Sequence, residues 1–331
     1  MLAPRSKAAE AIRSVSRRST ASLPVMPRRV LQCLLNYRGQ RSAYARDMFY
    51  RLAGRFTPMV LADTGPLAYV VPTGDAYLGS SLFTSGAFDA DYLPRVLRLL
   101  NRLGIAPCTG KTFVDVGANI GTTTVPALAA CGFSNAVAIE PEPRNFQLLR
   151  INLILNQLEE RVRCLNMALS DSPGQAPMKR SHWNCGDHRV LVDRPTAAED
   201  TIDVCLTTFD SLVRDGSLRL EEVGLVWMDT QGHEGHILSG ASTLLASDIP
   251  VLTEFCPALL RQSGGLERFK RMVTDNYAGI VDIRTADPAK PVRLLPAHAI
   301  EQLARDYDSV DAGLDDRIFT DVLLLKRIMR A

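Results

Sequence analysis

Val114-Asp115-Val116-Gly117-Ala118-Asn119-Ile120-Gly121 is an apolar β-type run that gives way to two glycines four residues apart. A strand that turns straight into a helix through glycines lets a ligand approach the backbone closely. In an open α/β sheet, ligands bind at the carboxyl ends of the strands. Around this segment, apolar β-runs alternate with helical patterns. The runs are TFVDVG (112–117), AVAIE (136–140), VRCLNMAL (162–169), VGLVWMD (223–229) and PVLTEF (250–255), and the helical segments fall at 120–131, 143–156, 235–246 and 257–275. That alternation predicts a mostly parallel sheet covered by helices on both faces. AGIVDIR (278–284) and DVLLLKR (321–327) are two late strands joined by a polar connection with a short helix near 297–306. They complete a seven-stranded sheet with one reversed strand.

Upstream, residues 28–56 carry apolar residues at helical spacing with arginines between them, which predicts one or two amphipathic helices. VLADTG (60–65) and LAYVVPTGD (67–75) predict a strand pair, YLGSSLFTSGAF (77–88) a glycine-rich turn, and 89–103 a helix. The expected organisation is a basic head (1–27), a helical and β extension (28–110) and a ligand-binding domain (111–331).

The glycine spacing is GxxxG rather than the GxGxxG of a dinucleotide site, and Asp115 precedes it. A carboxylate at the loop repels a pyrophosphate and suits an amine-bearing nucleoside, so S-adenosylmethionine fits better than NAD. No GxxxxGK[ST] motif points to a nucleoside triphosphate. Glu140 closes the second strand, where a carboxylate can accept both ribose hydroxyls.

With 331 residues, 46% apolar and 22% charged, the chain can bury one large or two ordinary cores, and no apolar run reaches the roughly 18 to 20 residues of a membrane span. Its seven cysteines are odd in number and contain no CxxC pair, so neither a disulfide framework nor a zinc site is expected. Reduced thiols fit a cytoplasmic setting. The net charge of +2 divides into +10 over residues 1–55 and −8 over the rest. The basic head reads as a solvated tail, a weak anionic-surface contact, or an import signal in a eukaryote. The acidic body lacks a basic, aromatic-interleaved stripe, so nucleic acid is not the expected partner.

The sequence resembles the FkbM family of class I S-adenosylmethionine-dependent methyltransferases. The motifs are FVDVGANIG (113–121), AIEPEPRNFQLLRINLILN (138–156), ALSDSPG (168–174), TTFDSL (207–212), VWMDTQGHEGHILSGA (226–241) and PVLTEF (250–255). The resemblance implies a Rossmann-like fold and O-methylation of a sugar, polyketide or similar small metabolite or glycan. It places Asp115, Gly117, Asn119 and Gly121 at the methionine end of the cofactor, Glu140 on its ribose, Pro141 near the adenine, and Ala168 and Leu169 at the adenine edge. Where the family commonly reads K-I-D-V-E-G-x-E, this chain has Trp227-Met228-Asp229-Thr230-Gln231-Gly232-His233-Glu234. Asp229, Gly232 and Glu234 match; Trp227, Thr230 and Gln231 depart.

Methyl transfer to oxygen needs alignment and removal of the acceptor proton. Asp229 stands where cofactor and acceptor meet. His233 is the leading general base, Glu254 its competitor, and Glu234 a further candidate carboxylate. No metal is expected, because Asp229, His233, Glu234 and His236 lack HExxH spacing. DTQG in place of an Asn/Asp-Pro-Pro-aromatic turn disfavours amino-adenine methylation. Cys256-Pro257 lacks the context of a cytosine nucleophile. The insertion 181–188 offers acceptor contacts. The competing expectations are a non-catalytic binding or assembly module, and a methyltransferase with a nucleic-acid or protein acceptor.

Overall fold

The largely apolar runs TFVDV, NAVAI, VGLVWM and VLTEF form the middle of one sheet, with VRCL at its edge, because a strand covered on both faces leaves little room for polar residues. The computed structural model describes residues 43–105, 108–192, 200–287, 289–308 and 319–326. The head, 1–27, and the predicted helical stretch up to 42 lie outside the described residues. The described residues from Asp47 onward form one compact unit.

The elements run α1 (Ala43–Ala53), β1 (Met59–Asp63), β2 (Ala68–Pro72), α2 (Leu78–Ser85), α3 (Tyr92–Arg102), β3 (Thr112–Val116), α4 (Thr124–Ala129), β4 (Asn135–Ile139) and α5 (Pro143–Leu155). Then follow β5 (Val162–Leu165), β6 (Ala168–Leu169), β7 (Gly174–Lys179), β8 (Arg189–Val190), β9 (Thr201–Thr207), α6 (Phe209–Arg214), β10 (Val223–Met228), α7 (Glu234–Ser239) and α8 (Ser242–Ala246). The chain closes with β11 (Val251–Phe255), α9 (Pro257–Gln262), α10 (Leu266–Asn276), β12 (Gly279–Asp282), β13 (Leu295–Pro296), α11 (Ile300–Asp306) and β14 (Thr320–Leu325).

The large sheet has the order β13-β12-β14-β11-β10-β3-β4-β5. β5, β4, β3, β10 and β11 are parallel neighbours, and β14 is the reversed strand, antiparallel to both β11 and β12. The expected seven strands are present. The two-residue β13 adds an eighth at the edge, antiparallel to β12. Strand order reverses at β3, which lies between β4 and β10, so a crevice opens beyond their carboxyl ends. Every residue of β3 and β11 is buried.

Three local expectations are corrected. VRCLNMAL is two strands in two sheets: the Asn166 side chain donates to the carbonyls of Glu140 and Pro141 at 2.9 and 3.0 Å, breaking the run. β6 then pairs with β9 in a second sheet of order β6-β9-β7-β8, in a stretch where the sequence predicts no further strand. Residues 77–88 are not a turn but contain α2. Asp75 Oδ1 accepts the N–H groups of Tyr77 and Leu78 at 2.8 and 3.1 Å and so supports the start of the helix, and Gly86 at φ +72° ends it. The segments 235–246 and 257–275 each hold two helices, interrupted at Gly240 and at Ser263-Gly264-Gly265.

The β1–β2 hairpin docks on α5 through two asparagines that behave like a neighbouring strand. Asn152 Oδ1 accepts from Val70 N–H at 2.7 Å, while its amide donates to the Ile120 carbonyl at 2.9 Å. Asn156 accepts from Ala68 N–H at 3.1 Å and donates to the Ala68 carbonyl at 2.7 Å. Among the described residues no helix is long and apolar enough to cross a membrane.

Candidate active site

At the tip of β3 the backbone takes left-handed conformations at Gly117 (φ +91°), Asn119 (φ +50°) and Gly121 (φ +94°). A Cβ at Gly117 would lie 1.9 Å from the Asp229 carbonyl oxygen, so the tips of β3 and β10 touch at a point that only glycine permits. A Cβ at Gly121 would meet Leu149 at 3.0 Å, which makes Gly121 a packing residue against α5. Asp115 is buried beneath the loop, where its carboxylate accepts the Thr124 hydroxyl at 2.5 Å. Burial raises its pKa to about 7.

Glu140 is 4% exposed at the end of β4. Its Oε2 accepts the Asn119 N–H and its Oε1 the Glu142 N–H, both at 2.8 Å, so one carboxylate ties the glycine loop to the start of α5. Burial raises its pKa to about 8, against the pull of those two N–H groups. Glu142 in turn caps α5, accepting the Asn145 N–H at 2.7 Å ahead of Pro143 at the first helical position.

These elements enclose a cavity of about 410 Å³, within the size range of small-molecule sites. Gly117, Asn119, Glu140, Pro141, Ala168, Leu169, Asp229, His233 and Glu254 line it; Asp115, Gly121 and Glu234 stand behind its wall. The wall is completed by His188 of the 181–188 insertion and by residues that sequence reasoning missed: Tyr77 and Tyr92 from the extension, Asn145, and Asp321 on β14. Asp321, an acid opening an apolar run, was the one legible signal among them. The 181–188 insertion does reach the cavity, with Trp183, Asn184, Cys185 and Gly186 lining it. It is pinned there by the Cys185 thiol donating to Asp75 at 2.5 Å and the Asn145 amide donating to the Cys185 carbonyl at 2.8 Å.

At the opposite end carboxylates gather. The Gln231 amide donates to Asp229 Oδ1 at 2.9 Å and to Glu254 Oε2 at 3.2 Å, bridging two acids with a neutral group. Burial, then the charges of Asp229, Glu234 and Asp321, push Glu254 well above the usual carboxylate range. Burial also raises Asp229. Glu234 braces the 230–234 turn, its Oε1 accepting from Thr230 N–H at 2.8 Å and the Thr230 hydroxyl at 2.9 Å. The Tyr92 hydroxyl is hydrogen-bonded to Asp321, whose pKa burial raises to about 7.

His233 shares a 3.0 Å hydrogen bond between Nε2 and the Ser170 hydroxyl and stacks on His236 at 4.6 Å between ring centroids. Burial, followed by His236, lowers its pKa to about 3. His236 is spent on the Ser263 carbonyl at 2.9 Å. The four residues Asp229, His233, Glu234 and His236 therefore have separate partners rather than a shared centre. Among the described residues no group of three or more His, Cys, Asp or Glu is arranged to hold a metal ion.

Residues 115–274 match the family model described as the methyltransferase FkbM domain. A curated relative, the tRNA(Phe) (4-demethylwyosine(37)-C(7)) aminocarboxypropyltransferase of Pyrococcus horikoshii, is 39% identical over 105 residues, 32% of this chain. The match spans 33% of that relative's length. Among solved structures, a methyltransferase FkbM from Methylobacillus flagellatus KT is 14% identical with a TM-score of 0.38, covering 85% of this chain and 59% of that one. The P. horikoshii TYW2 structure in complex with MeSAdo is 14% identical with a TM-score of 0.38, covering 87% and 84%.

Proposed function

Since residues 115–274 are a methyltransferase FkbM domain, we propose that the protein transfers a methyl group from S-adenosylmethionine to a hydroxyl of a small metabolite or glycan. The observation that carries this reading is Glu140: a buried carboxylate on the cavity wall, at the switch point of the sheet, with each oxygen occupied by one backbone N–H and still able to accept a ribose hydroxyl. The residues present fit the cofactor in other ways. Among the described residues the buried Asn119 Oδ1 has no partner and the lining carboxylates meet no cation, and the Gly117 backbone is bare where an amino-acid moiety would approach. Pro141, Ala168 and Leu169 would flank the base. S-adenosylmethionine supplies an electrophilic methyl group on a sulfonium.

Asp229 and Glu254 would face the reacting atoms, with Gln231 fixing their separation. Glu254 is the better proton acceptor, because burial and the neighbouring acids hold its carboxyl well above the usual carboxylate range, whereas burial depresses the His233 imidazole to about 3. His233 is then a wall residue held by Ser170.

Calorimetric titration with S-adenosylmethionine and S-adenosylhomocysteine tests the reading. Saturable binding is expected; Glu140→Ala should weaken it by about a hundredfold or more through the lost hydrogen bonds to the ribose, and Gly117→Val should weaken it because its side chain would strike the Asp229 carbonyl. Folded wild-type protein that binds neither compound would refute it.

A second reading, an RNA acceptor, is favoured by the relative described as acting on tRNA(Phe). The cavity lining counts against phosphate at the reacting centre: its described residues include five carboxylates and neither Lys nor Arg. Methyl incorporation into RNA against small acceptors separates the two.

A further inference from the structure

Glu254 on β11 and Asp321 on β14 are directly opposite one another across an antiparallel pair, and both line the cavity. Like charges at such positions destabilise a sheet unless something offsets them. Asp229 adds a third carboxylate to the same wall. The described groups that meet these acids are neutral, the Gln231 amide and the Tyr92 hydroxyl. Beside them the rings of Tyr92 and Trp227 stand edge to face, 5.5 Å between centroids and 74° apart, both on the cavity wall. Carboxylates combined with aromatic faces in a dry recess favour an organic cation. In the same cavity wall, His233 is 5% exposed and its Nδ1 has no partner. With Nε2–H donating to Ser170, that nitrogen offers a lone pair to an incoming donor.

We propose that the acceptor is a hydroxylated amine whose ammonium group is held by Asp321 against Tyr92 and Trp227, next to the hydroxyl that is methylated. This rests on the methyl-transfer reading above. The charges then balance. Asp229 would meet the positive charge of the bound cofactor, and Asp321 would meet the ammonium. Glu254 takes the hydroxyl proton as the new O–C bond forms and the S–C bond breaks, leaving a neutral thioether and a methyl ether. A neutral sugar or a phosphorylated acceptor would leave the Glu254–Asp321 pair without a counterion.

The test uses the full-length protein saturated with S-adenosylhomocysteine and two matched probe pairs, glucosamine with glucose and tyramine with 4-ethylphenol, followed by ligand-observed NMR titration at neutral pH. The amine of at least one pair is expected to bind about tenfold more tightly, as a desolvated cation–π and carboxylate contact provides. Asp321→Asn should erase most of that preference, and Glu254→Gln should reduce it; both keep side-chain shape, and a thermal melt verifies that each folds. Equal binding, no binding by either pair, or a preference that survives Asp321→Asn overturns the inference and leaves the methyl-transfer reading standing. Failure of S-adenosylhomocysteine itself to bind overturns that reading and this inference with it.

Discussion

As the proposed proton acceptor, Glu254 sets a direction for the pH dependence of turnover. A proton acceptor must be ionised, and burial with three neighbouring acids holds this carboxyl protonated to higher pH than usual. In the acceptor-free enzyme kcat/KM should therefore rise with pH through an acid limb displaced upward from the ordinary carboxylate range. Glu254→Gln should remove that limb and cost about 10²- to 10⁴-fold in kcat. A rate–pH profile of both proteins checks this, and an unshifted limb would return the role to another group. Gly117 gives the second test at this scale. Even Gly117→Ala puts a methyl group onto the Asp229 carbonyl and asks for a left-handed φ, at a strain cost of about 1–3 kcal/mol before the clash is relieved. Chemical denaturation should show the loss of stability, and titration should show lost cofactor affinity in whatever fraction still folds.

Among the elements, the docking of the β1–β2 hairpin turns on Asn152, which is fully buried on α5. Asn152→Ala strips the partner from the Val70 N–H and the Ile120 carbonyl, each an unsatisfied group worth about 1–3 kcal/mol, so a loss of about 2–4 kcal/mol is expected in urea denaturation. The elements that the sequence disclosed are those whose causes are local. The strands of the large sheet show as largely apolar runs, and Gly117, Asn119 and Glu140 show because a tight strand-to-helix turn has a fixed grammar. What stayed hidden depends on distant partners. α2 looks like a turn until Asp75 is seen accepting its first N–H groups, and β5 looks continuous with β6 until Asn166 is seen holding the end of β4. Tyr92 belongs to the site because of Asp321, 229 residues away, a pairing that no local pattern announces. His233 reads as a base from its imidazole and its place one helical turn past the tip of β10, and the proposal of Glu254 in that role rests on the burial of His233. Burial against His236 takes that property away.

For the molecule as a whole, buried acids that meet no cation among the described residues make stability depend on pH with a definite sign. Asp115, Glu234 and Asp321 are raised to about 7 and Glu140 to about 8, so between the unfolded carboxylate range and these values the folded chain holds more protons than the unfolded one. Stability from these groups is full at low pH and falls as pH rises through about 7 to 8. The lowered pKa values of His233 and His188 act in the opposite direction, but only below the ordinary histidine value of 6.5. Above it the carboxylates stand unopposed. The Tm of the ligand-free protein should accordingly drop from pH 6.5 to pH 8.5. S-adenosylmethionine, which carries a sulfonium charge, should offset that drop more than S-adenosylhomocysteine, which does not. Scanning calorimetry across that interval decides it, and a flat or rising Tm would contradict the assignment.

The reversed strand has a temporal consequence as well. β14 lies between β11 and β12, so the earlier strand must wait, its flank open, for Thr320–Leu325 to slide in beside it. Until then two apolar strand edges are bare, and the wall bearing Asp321 does not exist. A nascent chain carries its glycine loop and Glu140 long before it can enclose a substrate. The wall of the cavity is therefore completed only when Thr320–Leu325 inserts, and a chain halted before that strand would carry two sticky edges rather than a slow active site.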